Sequence, residues 1–180
     1  VVAGAGTAPV IVGNRFSKGP MGGVVFSSGC AGTFRGNEVA GNCMAAVTIS
    51  DGADPIVEDS LIVDGLSFGL FVHRGGKGRI QRCEFRGNLG EAVVVRGSCS
   101  PLLLGNHIDC RAMMEQCETN SNALCRPALS IGPSRGAPDG KACVVEMIDN
   151  TVNVGKGCDC GIFVHDTAHA VARCNVLKLY

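Results

Sequence analysis

Chemistry in this chain would have to come from a small set of side chains. His107, Cys110, Cys117 and Cys125 gather in one stretch, and Cys158-x-Cys160 follows later. Thiolates and imidazoles are zinc ligands, but a structural zinc site is four-coordinate and is often announced by a closely spaced cysteine knuckle. No knuckle of that kind occurs around these residues, so they are weak metal candidates, and buried or loop thiols are the expected reading. His73, His165 and His169 have no visible nucleophile or orienting acid in the sequence, and solvated or hydrogen-bonded histidines are expected in place of a general base. No catalytic residue, resident metal or cofactor is expected.

Composition sets the frame for these side chains. The chain has 180 residues, is 46% apolar and 18% charged, and carries 16 basic against 16 acidic residues. That balance predicts one folded domain with a core, and it argues against a nucleic-acid partner, which would demand a basic face. No apolar run approaches the roughly 20 residues that span a bilayer, so no membrane partner is expected. Glycine, at 26 residues, is about double its average usage of ~7%, which implies many turns. The 11 cysteines are odd in number and scattered, and no Asn-x-Ser/Thr acceptor occurs. They read as buried thiols of a cytoplasmic protein.

The organisation lies in a repeat of 23 residues. Stepping from Asn14 gives Asn37, Ser60, Cys83 and Asn106. Phe16, Val39, Ile62, Phe85 and Ile108 run in parallel with them, as do Ile11, Phe34, Val57, Ile80 and Leu103. A second apolar pair, Val24/Phe26, Val47/Ile49, Leu70/Val72 and Val93/Val95, follows the small residues Gly23, Ala46, Gly69 and Ala92. Turn residues keep the same register at Pro9, Gly32, Pro55, Gly78 and Pro101. Apolar positions spaced by two belong to strands. A unit of short strands and tight turns cannot bury its apolar face alone and must stack on copies of itself. The expected fold is an all-β, parallel β-helix solenoid of about seven coils.

Beyond Ile108 the register slips. The inward pair returns at Leu129 and Ile131, and the pattern resumes at Met147, Asn150 and Val152, which places loop insertions near 109–127 and 133–141. It then runs through Gly161, Ile162 and Val164 and begins again at Val171, Cys174 and Val176. Cys83 and Cys174 are expected to replace Asn in the polar column, and Cys30 and Cys99 to share a turn column with Ala53 and Gly76, all four as core fillers. The coil pattern covers 1–180 as a single domain and suggests a piece of a longer β-helix, with end-to-end or lateral β contacts.

The pattern Pro-x-Ile/Val-x-x-Asn/Ser/Cys-x-Phe/Ile, then Gly/Ala-Val/Leu-x-Val/Ile, resembles the right-handed parallel β-helix repeat of the pectin-lyase-like superfamily. Residues 54–62 and 69–72 carry it most clearly. The resemblance implies a right-handed coil, and it brings with it lyases that hold calcium on carboxylates and hydrolases that cluster Asp on one strand face. Asp51, Asp54, Glu58, Asp59 and Asp64 are the nearest approximation here. Stacking at 23 residues sets Arg15 over Glu38, Arg35 over Glu58, Asp51 over Arg74, Asp54 over Lys77, Asp59 over Arg82 and Arg86 over Asp109. The expectation is an external ladder of ion pairs that leaves few free acids.

One column does not suit a solvated exterior. Between the inward residues of one strand, the outward position reads Val25, Thr48, Phe71, Val94, Ser130 and Phe163. A contiguous apolar strip marks an interface, with Val25, Phe71, Val94 and Phe163 as the partner-binding candidates. The expected function is a non-enzymatic scaffold that binds other proteins of a larger cytoplasmic assembly. Such repeats are similar to those of F-box-associated recognition proteins and of cytoskeletal or ciliary assemblies. The alternative is a carbohydrate-active or glycan-binding β-helix, for which the absence of Trp and a single Tyr180 are unfavourable.

Overall fold

The computed structural model describes residues 2–110, 126–133, 142–155, 160–165 and 167–180. The described strands come in threes. The first turn holds β1 (Val2–Ala3), β2 (Val10–Val12) and β3 (Arg15–Ser17); the second β4 (Val24–Phe26), β5 (Thr33–Arg35) and β6 (Glu38–Ala40); the third β7 (Val47–Ile49), β8 (Ile56–Glu58) and β9 (Leu61–Val63). The fourth holds β10 (Leu70–His73), β11 (Arg79–Gln81) and β12 (Glu84–Arg86), and the fifth β13 (Val93–Arg96), β14 (Leu102–Leu104) and β15 (His107–Asp109). The sixth holds β16 (Leu129–Gly132), β17 (Cys143–Ile148) and β18 (Thr151–Val154), and the seventh β19 (Ile162–Val164), β20 (Ala168–Arg173) and β21 (Val176–Leu179).

Each third strand stacks on its equivalent, which makes three seven-stranded parallel sheets running the length of the solenoid: β1 to β19, β2 to β20 and β3 to β21. The pairing is in register, with Ile80 between Val57 and Leu103 and Phe85 between Ile62 and Ile108. The repeat columns are therefore the core. Phe26, Phe34, Phe85, Ile49, Ile62, Leu70, Ile80 and Leu103 are fully buried, each worth roughly 1.5–3 kcal/mol of transfer free energy. The small column has a steric cause. A Cβ on Gly69 would lie 2.7 Å from the Ala92 carbonyl oxygen and 3.0 Å from the Phe85 ring.

Corners are made by single left-handed residues. Between the second and third sheets, Gly13, Gly36, Asp59, Arg82, Gly105, Asp149 and Cys174 all have positive φ. The next residue is the polar column, whose side chains tie turn to turn. Asn37 Oδ1 accepts the Asn14 amide at 2.8 Å, Asn106 Oδ1 accepts the Cys83 amide at 2.9 Å, and Asn150 Oδ1 accepts the Asn106 amide at 2.9 Å. The carboxamide nitrogens of Asn37, Asn106 and Asn150 donate to the carbonyls of Ile11, Ile80 and Leu103. Buried amides are thus satisfied where the chain bends too sharply for a ladder.

Both expected insertions fall between strands that remain paired. Val93 pairs with Leu129 and Leu102 with Glu146, partners separated by more than one repeat. The last turn corrects the sequence reading. Asn175, and not Cys174, continues the polar column: its Oδ1 accepts the Asn150 amide at 2.9 Å, 25 residues away. Met147 pairs with Ala172 and Val152 with Leu177, so Val171, Cys174 and Val176 each lie one position short of the expected columns. Cys174 occupies the left-handed corner and is exposed instead of filling the core. Cys30, Cys83 and Cys99 are buried, as expected.

Candidate functional site

The outward column of the first sheet is continuous. Val2, Val25, Thr48, Phe71, Val94, Ser130 and Phe163 are successive register partners. Its accessibility is not. Val25, Thr48 and Phe71 are half-buried and Phe163 is 46% exposed, whereas Val94 and Ser130 are each 2% exposed. Val94 therefore corrects the expectation of an uninterrupted exposed strip. Beside it the Arg96 guanidinium folds over the strand, donating to the Ser130 carbonyl at 3.0 Å and to Ser130 Oγ at 2.7 Å. Arg126 bridges to Glu91 at 3.3 Å on the neighbouring corner. At Ser130 the strip thus meets a polar side chain, Arg96.

Over the first four turns the strip is the floor of an open apolar groove of about 570 Å³, lined by Val2, Met21, Val25, Met44, Phe68 and Phe71 among others. Its wall is the corner that leads from the third sheet to the first. There Met21 and Met44 are 63% and 51% exposed. The Phe68 and Phe71 rings meet at 5.6 Å and close one end. His73 follows, its ring stacked on Phe71 at 4.4 Å and 13°. Burial pushes the His73 pKa down, Asp51 opposes that shift and Arg74 adds to it. Phe71 thus faces outward, as expected.

The groove walls were not foreseen. Met21 and Met44 stand 23 residues apart, a repeat of thioethers that would have marked the wall had the corner been followed as closely as the strands. A second polar ladder behind it was also missed. Asn42 Oδ1 accepts the Gly19 amide at 3.0 Å, and Asn88 Oδ1 accepts the Gly65 amide at 3.1 Å. The carboxamides donate to the Phe16 and Ile62 carbonyls. Alternation of Gly with Asn hides this column from a search for one residue type.

The carboxylates are gathered elsewhere, at the corner between the second and third sheets. A shallow depression of about 400 Å³ is lined by Asp59, Ser60, Leu61, Arg82 and Glu84. Arg82 grips Asp59 through Nε at 2.7 Å and Nη2 at 3.0 Å, and reaches Glu58 at 2.9 Å. The hydrogen bond from Arg82 holds the Asp59 carboxyl below the usual range, which is opposite to what a general acid at neutral pH requires. Arg15–Glu38 at 3.4 Å and Asp51–Arg74 at 2.9 Å also form as expected. The other three stacked pairs are not closed as drawn. Asp54 accepts the Gly78 amide, Arg86 turns to Glu84 on its own strand, and Glu58 opposite Arg35 is taken by Arg82 and Gln81. Register brings charges near one another, and the nearest donor then captures the side chain.

His107 and Cys110 are not presented together. His107 is exposed, with Nε2 3.2 Å from Asn153 Nδ2, and Cys110 is buried in the core. Cys117, Cys125 and Cys158 lie outside the described residues. Among the described residues no group of three or more His, Cys, Asp or Glu is placed to hold a metal ion. Two further histidines are surface features: His165 meets Phe163 edge-on at 4.5 Å, and His169 is exposed.

A family model described as the right-handed β-helix region matches residues 1–177. The chain belongs to the right-handed β-helix family. Among solved β-helices it is similar to the A-module of the mannuronan C-5 epimerase AlgE4 of Azotobacter vinelandii, with a TM-score of 0.65 and 13% identity over 97% of this chain. It spans 56% of that module. At this identity the likeness is one of fold, and the neighbour is a carbohydrate-active enzyme. No curated protein sequence matches this β-helix chain.

Proposed function

We propose that this β-helix is a non-catalytic interaction module, a component of a larger assembly that grips an apolar segment of a partner protein in the groove of turns one to four. The observation that carries the reading is the groove itself: a floor of Val25 and Phe71 and a wall of Met21, Met44 and Phe68, with His73 as its one ionisable lining residue. Methionine and aromatic surfaces adapt to apolar side chains. The backbone groups of β4, β7 and β10 are paired on both sides, so over these strands the floor offers side-chain contacts. The free thiols of Cys30, Cys43, Cys83, Cys143 and Cys174 fit a reducing, cytoplasmic setting, for which cytoskeletal or ciliary assemblies are the candidates.

The test is the native mass of the protein extracted from its source, with mass spectrometry of what co-elutes, for the natural chain and for Met44→Glu. Elution in a defined assembly that Met44→Glu leaves, while its melting temperature holds, supports the reading. A free particle in both cases overturns it.

A carbohydrate-active role is the second reading. It is favoured by the neighbour's identity as an epimerase and by a line of nitrogen-bearing side chains on the first sheet: His73 pairs in register with Arg96, and His165 follows two strands on. Modification of an acidic polysaccharide, abolished by Arg96→Ala, would replace the first reading with this one.

A further inference from the structure

Arg96 leaves one edge of its guanidinium open. Nη1 donates to the carbonyls of Val95 and Ser130 at 3.1 and 3.0 Å, and Nη2 donates to Ser130 Oγ at 2.7 Å. These bonds use the tip of the group and fix its plane. The side edge, Nε with the second Nη2 proton, meets no acceptor among the described residues. Arg82 shows what that edge takes when it is filled: there Nε and Nη2 hold the two carboxylate oxygens of Asp59 at 2.7 and 3.0 Å. The acceptors of Arg96 are all neutral, and Glu91, whose charge acts on it, is held by Arg126 at 3.3 Å. Arg96 is nonetheless half-buried, and burial pushes its pKa down. A guanidinium that gives up water without gaining an anion does so at a cost.

His165 stands on the same column. The register sets Arg96 of β13 beside Gly132 of β16, and His165 follows Val164 of β19 on the far side of Gly132. The two side chains therefore flank a residue that has none, with their backbones about 10 Å apart, two strand spacings. The imidazole leans into the gap, because a Cβ on Gly132 would lie 2.5 Å from His165 Cδ2. In either charge state the ring carries at least one N–H donor.

We propose that Arg96 anchors an oxyanion site beside Gly132 and that its ligand is a phosphate group. The open edge of the guanidinium matches two oxygens at once. A carboxylate is exhausted by that fork, whereas a phosphate keeps a further oxygen and a second charge for His165. Arg96 does not line the groove of turns one to four, so the site holds or fails independently of the docking reading.

The probe is inorganic phosphate, titrated at constant ionic strength into the natural chain while NMR follows the Nε–H resonance of Arg96 and the ring resonances of His165. Saturable shifts of both with one Kd are expected. Arg96→Lys keeps the charge and loses the fork, and should bind at least about tenfold more weakly. His165→Ala should also weaken binding while the Arg96 resonance still responds. Far-UV dichroism establishes that each variant is folded, and the titration of the natural chain needs no variant. O-phosphoserine separates the sources: tighter binding than inorganic phosphate supports an esterified phosphate as the ligand, and weaker binding supports the free ion. No saturable shift in the natural chain, or a folded Arg96→Lys that binds phosphate undiminished, overturns the site. Acetate that saturates the Arg96 resonance at the concentrations phosphate requires, or undiminished phosphate binding by His165→Ala, overturns the assignment to phosphate.

Discussion

The Asn150 carboxamide oxygen lies 2.9 Å from the backbone nitrogen of Asn106, although 44 residues separate them. The polar ladder thus passes straight across both long insertions. It does so because the corner before each ladder residue, Gly105 and Asp149, keeps the same left-handed conformation. The bend returns the chain to its column however much chain has intervened.

Asn106→Ala removes acceptor and donor at once. The Cys83 amide loses its partner and the Ile80 carbonyl its donor, both buried. Each orphaned group costs about 1–3 kcal/mol, so a loss of about 2–6 kcal/mol is expected in urea unfolding. Asn14→Ala, at an exposed position, should cost less than about 1 kcal/mol.

Ile49→Asp and Arg35→Ala test the inward and outward columns against one another. Ile49 is fully buried, and an unpaired carboxylate there should cost several kcal/mol or prevent folding. Arg35 is exposed on the second sheet, where a charge contributes about 0–1 kcal/mol. Thermal melts in the reverse order would contradict the register.

Thiol chemistry should divide the cysteines by position. Cys43 and Cys174 are exposed, and Cys30, Cys83 and Cys99 are buried. Alkylation of the native protein should modify the first two and reach the others only on unfolding. Burial pushes Cys83 up to about 12 and Cys143 up to about 11 from an ordinary 9.0. Both folded values are raised, so the contribution of these thiols is fully present below about pH 9 and is lost as pH rises toward 11 to 12, where the unfolded chain ionises first. Urea midpoints measured across that range should fall, and less so in Cys83→Ser.

At the corners, Cys174→Gly should stabilise. Cys174 is exposed with φ of 53°, a conformation that costs an L-residue about 1 kcal/mol and glycine nothing. The same change at Cys83, which has a buried side chain, should destabilise. Differential scanning calorimetry of the two variants gives opposite shifts.

Much of the architecture was legible because the solenoid repeats one decision many times. Val24, Val47, Leu70 and Val93 recur at a fixed period, and each occurrence confirms the others. The final turn was not, because Cys174 and Asn175 are both small and one of them fills each role; the φ of the corner and the hydrogen bond from the Asn150 amide tell them apart. Phe71 was readable as outward from strand alternation alone. The burial of Val94 was not, since its register partner Ser130, which Arg96 grips, lies across an insertion. The ion pairs failed where they did because register fixes backbones to within one strand spacing while long side chains choose among several partners in reach.

The unbroken stacking of the first sheet has a metric consequence. Two Phe-Val-His segments, Phe71 to His73 and Phe163 to His165, lie on strands three steps apart. Their separation is about 14 Å, three strand spacings of about 4.8 Å, and it is independent of the length of chain between them. The molecule is graduated like a ruler: loops can lengthen or change composition without moving the marks, and a partner that reads two of them reads a fixed interval.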